Sequence, residues 1–81
     1  MVKVAIWGSL REATEGAAEV EVEAANLRQL LDGLAERHPA IRPQIERGVS
    51  VSIDGLIFND SWFQPVSPDS EVVLLPRIVG G

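Results

Sequence analysis

Apolar and polar residues alternate from the start of the chain. Val2, Val4 and Ile6 fall on one side of an extended segment and Lys3, Ala5 and Trp7 on the other, which predicts a strand with the first set as its core face. Gly8-Ser9 interrupts the pattern, and Leu10-Arg11-Glu12-Ala13 can close a single helical turn. Between Ala18 and Glu23 the alternation is strict, with Ala18, Val20 and Val22 set against Glu19, Glu21 and Glu23. That is a half-buried strand with a solvated acidic face. The period then changes. Leu27, Leu30, Leu31, Leu34 and Ala35 recur at i, i+3, i+4, i+7 and i+8, one stripe of an amphipathic helix whose other side carries Arg28, Asp32, Glu36 and Arg37. Asn26 and Gln29 have the spacing of a capping box at its start. Gly33 costs about 1 kcal/mol relative to alanine, which five aligned apolar side chains outweigh. Pro39 ends the helix, because it disfavours helical geometry at His38.

Ile41 and Ile45, around Pro43, predict a short second helical turn. Val49, Val51 and Ile53 alternate with Ser50, Ser52 and Asp54 as a third strand, and Asp54-Gly55 is a hairpin signal leading into Leu56-Ile57-Phe58. Asn59-Asp60 and residues 65–70 read as loop, with Trp62, Phe63 and Val66 expected to plug the edge of the core. Glu71 to Leu75 is apolar on both faces after its first residue, as a strand in the middle of a sheet would be. The order strand, strand, helix, strand, strand, strand predicts an α+β fold, a ubiquitin-like β-grasp: a mixed sheet crossed by one main helix, with the first and last strands parallel neighbours. Residues 1–76 are expected to form the domain and residues 77–81 a flexible tail ending in Gly-Gly.

Composition narrows the function classes. A chain of 81 residues, 46% hydrophobic, makes one small globular domain with a modest core. A formal net charge of −5, with only 7 Lys plus Arg and no basic stripe, argues against nucleic-acid binding and calls for a basic surface on any charged partner. No apolar run approaches membrane-spanning length, and residues 1–10 lack the charged and apolar regions of a secretory signal. The absence of cysteine suits the reducing cytoplasm and excludes thiolate chemistry.

Catalysis within the chain is not expected. His38 is the single histidine, at a helix end where it meets the last carbonyls or solvent, and with no cysteine no metal site of ordinary spacing can be written. The glycines form neither a GxGxxG nor a Walker loop, and Glu19, Glu21 and Glu23 read as a solvated face. Two other features stand out. Trp7 projects from the sheet face opposite the core, where Val73 and Leu75 of the last strand and Ile57 would join it in an exposed apolar patch, the mark of a protein interface unless a loop covers it. Beyond Pro76 the chain ends Arg77-Ile78-Val79-Gly80-Gly81. These five residues span at most about 17 Å when extended, and the two glycines have no Cβ, so the end is either a thin probe for another protein's buried site or a frayed terminus.

Leu10-Arg11-Glu12, Leu30-Leu31 through Glu36-Arg37-His38-Pro39, Ile53-Asp54-Gly55, Asp69-Ser70-Glu71-Val72 and Leu74-Leu75-Pro76 with Gly80-Gly81 together resemble the sulfur-carrier family that contains the small subunit of molybdopterin synthase and the thiamine-pathway carrier. The resemblance runs over essentially the whole chain. Its Leu-Arg-Glu element and its Leu-Leu-Pro approach to the tail favour the molybdopterin branch. The chain departs from the family at Ile6 and Trp7, often aromatic, at Asp54, often Asn, and at Pro76-Arg77, often Pro-Pro.

The resemblance implies that an adenylyltransferase of the ubiquitin-activating type joins the Gly81 carboxylate to AMP from ATP. A sulfur donor protein then converts it to a thiocarboxylate, and a larger synthase subunit accepts the tail so that its sulfur passes to a pterin precursor. On this reading the chain binds no cofactor and has no active site of its own, serving as the sulfur-donating subunit of a complex. Gly81 would carry the chemistry and Gly80 give it passage. Trp7, Arg11, Ile57, Val73 and Leu75, with Arg77, Ile78 and Val79 of the tail, would meet partners. A ubiquitin-like modifier joined to lysine through Gly81, a carrier for a cysteine or thiamine route, and an interaction domain with an inert tail remain as alternatives.

Overall fold

The computed structural model describes residues 1–77. Nine elements follow in order: β1 (Val2–Ile6), α1 (Leu10–Ala13), β2 (Glu19–Val22), α2 (Leu27–Arg37), a 3₁₀ turn (Pro39–Ile41), α3 (Arg42–Arg47), β3 (Val49–Ile53), β4 (Leu56–Phe58) and β5 (Val72–Pro76). The strands form one mixed sheet in the order β2-β1-β5-β3-β4. β1 and β5 are parallel, with Val4 opposite Val72 and Ile6 opposite Leu74, and every other pairing is antiparallel. This is the α+β, ubiquitin-like β-grasp that the hydrophobic pattern predicts.

The period-two alternation becomes a two-faced sheet. Val2, Val4, Ile6, Val20, Val22, Val51, Ile53, Val72 and Leu74 are buried on one face, against Leu27, Leu30, Leu31, Leu34 and Ala35 of α2. A Cβ at Gly33 would lie 3.4 Å from the Val22 Cβ, so the glycine that weakens the helix also sits where the helix approaches β2 closely. At the start of α2 the Gln29 N–H donates to Asn26 Oδ1 at 2.9 Å, while the Gln29 side-chain oxygen accepts from the Ala25 N–H at 2.8 Å, one residue before the position a standard box would serve.

The Asp54-Gly55 turn has φ of +50° and +87°, the left-handed pair that a two-residue hairpin of this twist demands. The Asp54 carboxylate accepts the Glu71 N–H at 2.9 Å, and the Asp54 N–H donates to the Glu71 carbonyl at 2.9 Å. Both bonds tie the hairpin to the entry of β5. The side chain acts there as an acceptor, a role that an asparagine oxygen would fill equally well.

Three expectations need correction. The second helical segment is longer than one turn: the 3₁₀ turn runs into α3, and Pro43 is accommodated in the first turn, where its missing N–H has no partner to lose. Ala18 is exposed and lies just outside β2. Of the three residues expected to plug the core edge only Val66 does so; Trp62 is 38% and Phe63 80% exposed. The backbone of this loop is committed elsewhere. The carbonyls of Gln64 and Trp62 accept the Leu27 and Arg28 N–H groups, and the Val66 N–H donates to Ala25. The loop thus satisfies the first free donors of α2, and its aromatic side chains are turned outward.

Among the described residues no helix is long and apolar enough to cross a membrane. The register of β5 is open to direct test. Leu74 is fully buried and Leu75 points to the other face, half-buried. Leu74→Ala is expected to lower unfolding free energy by about 2–5 kcal/mol, and Leu75→Ala by a small fraction of that. Urea denaturation of the two variants checks this, and equal losses would contradict the assigned faces.

Candidate functional site

Because β1 and β5 are parallel, their carboxyl ends reach the same end of the sheet, and β3, antiparallel to β5, begins there, with Val49 opposite Pro76. Three strands therefore surround the point where the chain leaves the domain. On the β1 side the Trp7 N–H continues the ladder to the Leu74 carbonyl at 2.9 Å. Gly8 follows with φ +65°, and a Cβ there would lie 3.4 Å from the Pro76 ring. Arg11 on α1 folds back, its Nε donating to the Ile6 carbonyl at 2.8 Å, which fixes an exposed guanidinium beside the exit.

The sheet face away from α2 carries the predicted patch. Register sets Ala5, Val73, Ser52 and Ile57 in one row across β1, β5, β3 and β4, and Leu75 and Ser50 in the next row toward the exit. Trp7 is 54% and Ile57 47% exposed, while Val73 and Leu75 are half-buried. The face that α2 leaves open carries Trp7, Val73 and Leu75 on the neighbouring strands β1 and β5, with Ile57 beyond Ser52 on the edge strand β4. Its far border is acidic, for Glu19 pairs with Ala5 and Glu21 with Lys3. Ser50, on the same face, is nonetheless fully buried and donates to Asn59 Oδ1 at 2.6 Å, so the segment after β4 folds over that corner.

On the β3 side, Arg77, read from the sequence as the first residue of the tail, is held against the domain by its side chain. Its two terminal nitrogens donate to the two Asp60 carboxylate oxygens at 2.8 and 3.1 Å, and one also approaches the Val49 carbonyl at 3.5 Å. The guanidinium lies over Gly48, where an added Cβ would come within 2.5 Å of Nε; Gly48 also has φ +112°, which other residues rarely adopt. Hydrogen bonding from Arg77 holds the Asp60 carboxyl below its usual value of 3.8; desolvation opposes it in part, and charge attraction, the smallest of the three influences, adds to it. The Arg77 guanidinium is correspondingly held above its ordinary value, chiefly by the same hydrogen bond.

Sequence reading missed Asp60 and Gly48. Asp60 sits 17 residues before its partner in a loop, with nothing in the spacing to link the two. The one available signal is a glycine between a helix and a strand. Ile78, Val79, Gly80 and Gly81 lie outside the described residues. His38 closes α2 by donating its backbone N–H to Leu34, and its Nδ1 is buried without a hydrogen-bond partner among the described residues. No group of three or more His, Cys, Asp or Glu among the described residues could hold a metal ion.

The ThiS family model matches residues 4–81. No match was found among curated proteins. Solved structures with the same fold include CysO of Amycolatopsis orientalis, in a complex with BexX, with 25% identity, all of both chains covered and a TM-score of 0.78. The small archaeal modifier protein 1 of Haloferax volcanii is 22% identical over 99% of this chain and 98% of its own, with a TM-score of 0.76. A putative molybdopterin converting factor subunit 1 of Pyrococcus furiosus is 21% identical over 95% of this chain and 97% of its own, with a TM-score of 0.78.

Two outcomes follow from the geometry. Trp7→Asp is expected to leave the fold and its unfolding midpoint nearly unchanged, because the side chain is exposed; unfolding of this variant, seen by circular dichroism, would place Trp7 in the core instead. The Asp60–Arg77 pair gives a pH dependence of definite sign. An acid with a depressed folded-state pKa contributes fully above its unfolded value, and the contribution disappears as pH falls through the folded value. The pair is therefore intact at neutral pH and opens only in strong acid. In Arg77→Gln the Asp60 carboxyl, followed by NMR, is expected to titrate higher, back near 3.8.

Proposed function

Because the chain belongs to the ThiS family of ubiquitin-like sulfur carriers, we propose that it carries sulfur on its own C-terminus, as a thiocarboxylate of Gly81. The observation that supports this most is the convergence at one end of the sheet: an exposed apolar face bearing Trp7 stands beside the strand from which the tail departs. A partner that docks on that face receives the tail in the same encounter. CysO of Amycolatopsis orientalis, which shares the fold, is solved in complex with a partner protein.

The chemistry follows from the terminus. An α-carboxyl has a reference pKa of roughly 3.3–3.7, so at neutral pH it is an anion able to attack the α-phosphate of ATP held by the activating partner. A carboxyl oxygen–phosphorus bond forms and pyrophosphate leaves. The carboxylate itself is a poor acceptor for sulfur, but the acyl-adenylate is a good one. Sulfur delivered at the oxidation level of sulfide attacks the acyl carbon, AMP leaves, and the thiocarboxylate remains. In this scheme Trp7, Val73, Leu75 and Ile57, with Arg11, supply docking. Ile78 and Val79 line the path into the partner, and Gly80 and Gly81 enter a channel too narrow for side chains. ATP is consumed by the activating enzyme, and the carrier needs no cofactor of its own.

For the final acceptor we favour a pterin precursor, with the chain as the small subunit of molybdopterin synthase in the cytoplasm. The Leu10-Arg11-Glu12 element and the Leu74-Leu75-Pro76 approach support that branch. A second reading is a protein modifier, in which the same activated Gly81 is joined to a lysine amine; the fold shared with the small archaeal modifier protein 1 is compatible with it.

Incubation with an activating enzyme, ATP and a sulfur source, followed by intact-mass measurement, is expected to show a gain equal to the replacement of one oxygen by sulfur. Higher-mass conjugates with other proteins would favour the modifier. Deleting Gly81 withdraws the carboxylate by about 3.3–3.6 Å. Since a misplacement of about 1 Å can already cost 100-fold, that variant should lose at least two orders of magnitude in thiocarboxylate formation at an unchanged melting temperature. Normal thiocarboxylation of the shortened chain would defeat the carrier reading.

A further inference from the structure

The Arg77–Asp60 pair lies outside the patch assigned to docking, at the root of the segment assigned to delivery. Exposed ion pairs of this kind add little to global stability, so stability does not account for how closely this one is fitted. The guanidinium meets the carboxylate through both terminal nitrogens, at 2.8 and 3.1 Å. The ground beneath it is cleared by Gly48, the position where a Cβ would collide with Nε. One nitrogen also reaches the Val49 carbonyl at the start of β3, the strand that pairs with β5. A two-pronged contact between planar groups fixes orientation as well as distance. It therefore holds Arg77 at one place beside the start of β3.

We propose that Arg77 is a positioning residue, clasped by Asp60 over Gly48 so that residues 78–81 start toward the activating partner from a fixed point. This rests on the carrier reading above. With the clasp closed, Arg77 is already placed and four residues lie beyond it, a length of at most about 14 Å. With it open, Arg77 is no longer held, and one more residue must be ordered each time the chain end enters the partner. The contact thus acts inward, within the chain, and Arg77 need not touch the partner at all.

The test uses the full chain with a ubiquitin-activating-type adenylyltransferase, following ATP–pyrophosphate exchange as carrier concentration varies, for Asp60→Asn, Arg77→Gln and the double variant. Ordering one more backbone residue corresponds to a loss of about five- to thirtyfold. Each single variant should show that loss in kcat, with KM within about twofold of wild type because the docking face is untouched. The double variant should be no worse than the poorer single, since both remove the same contact. Melting temperatures should stay within a few degrees. In the free protein, the amide ¹⁵N heteronuclear NOE of Arg77 should fall in Asp60→Asn. A wild-type rate in Asp60→Asn, a double variant that multiplies the two losses, or a defect confined to Arg77→Gln would overturn the clasp; the last would mean that Arg77 meets the partner directly. In all three cases the wild-type chain is still adenylated and the carrier reading stands. If Gly81 of the wild-type chain accepts no AMP, the carrier reading fails and takes this proposal with it.

Discussion

The parallel pairing of β1 with β5 is the constraint on which the rest of the molecule depends. Parallel neighbours cannot be joined by a tight turn, so everything between Ile6 and Val72 has to be routed out of the way and returned. The chain does this with a helix laid across one face, β2 added outside β1, and the β3–β4 hairpin placed on the other side of β5. The central position of β5 requires apolar residues on both of its faces, and Val72-Val73-Leu74-Leu75 supplies them. One set closes the core beneath α2; the other remains on the open face. The apolar surface beside Trp7 is thus a by-product of the same requirement that stabilises the sheet.

The loop after β4 links the two halves of this arrangement. Its carbonyls end the N-terminus of α2, its Val66 completes the core, and its Asn59 and Asp60 cover one corner of the exit. Trp62 and Phe63 point outward because the backbone that carries them is already committed. Local polarity alone would have placed these two aromatics inside, and the correction comes from hydrogen-bond satisfaction, not from hydrophobicity.

What was legible in the sequence is what repeats with a period or has strict turn chemistry. The five-residue stripe of α2, the alternation in β1, β2 and β3, and Asp54-Gly55 each specify their own geometry locally, and β5 announced its central place by being apolar on both sides. What was not legible depends on distant residues meeting. Asp60 and Arg77 lie on opposite sides of β5 in sequence and come together only because β3 and β5 pair with Val49 opposite Pro76. Ser50 looked like one more polar residue of an alternating strand, yet is buried because Asn59 folds over it. The outer-face patch lies between these cases, since alternation gave the face of each residue and the sheet order then set Trp7 beside the strand of Val73 and Leu75, with Ile57 beyond β3 at the sheet edge.

The late arrival of β5 also sets how the molecule comes into being. Before Val72–Pro76 is in place, the β1–β2 pair and the β3–β4 pair each present an unpaired inner edge, and neither has a neighbour to cover it. No assembly of the earlier elements alone can close the sheet, because β5 is the strand that both pairs flank. Sheets completed by such distant pairings form slowly, because a long loop must close before any of its contacts can reward it. The same event that completes the core brings the departing strand beside Trp7. An unfinished molecule therefore lacks the apolar face with the end of β5 beside it.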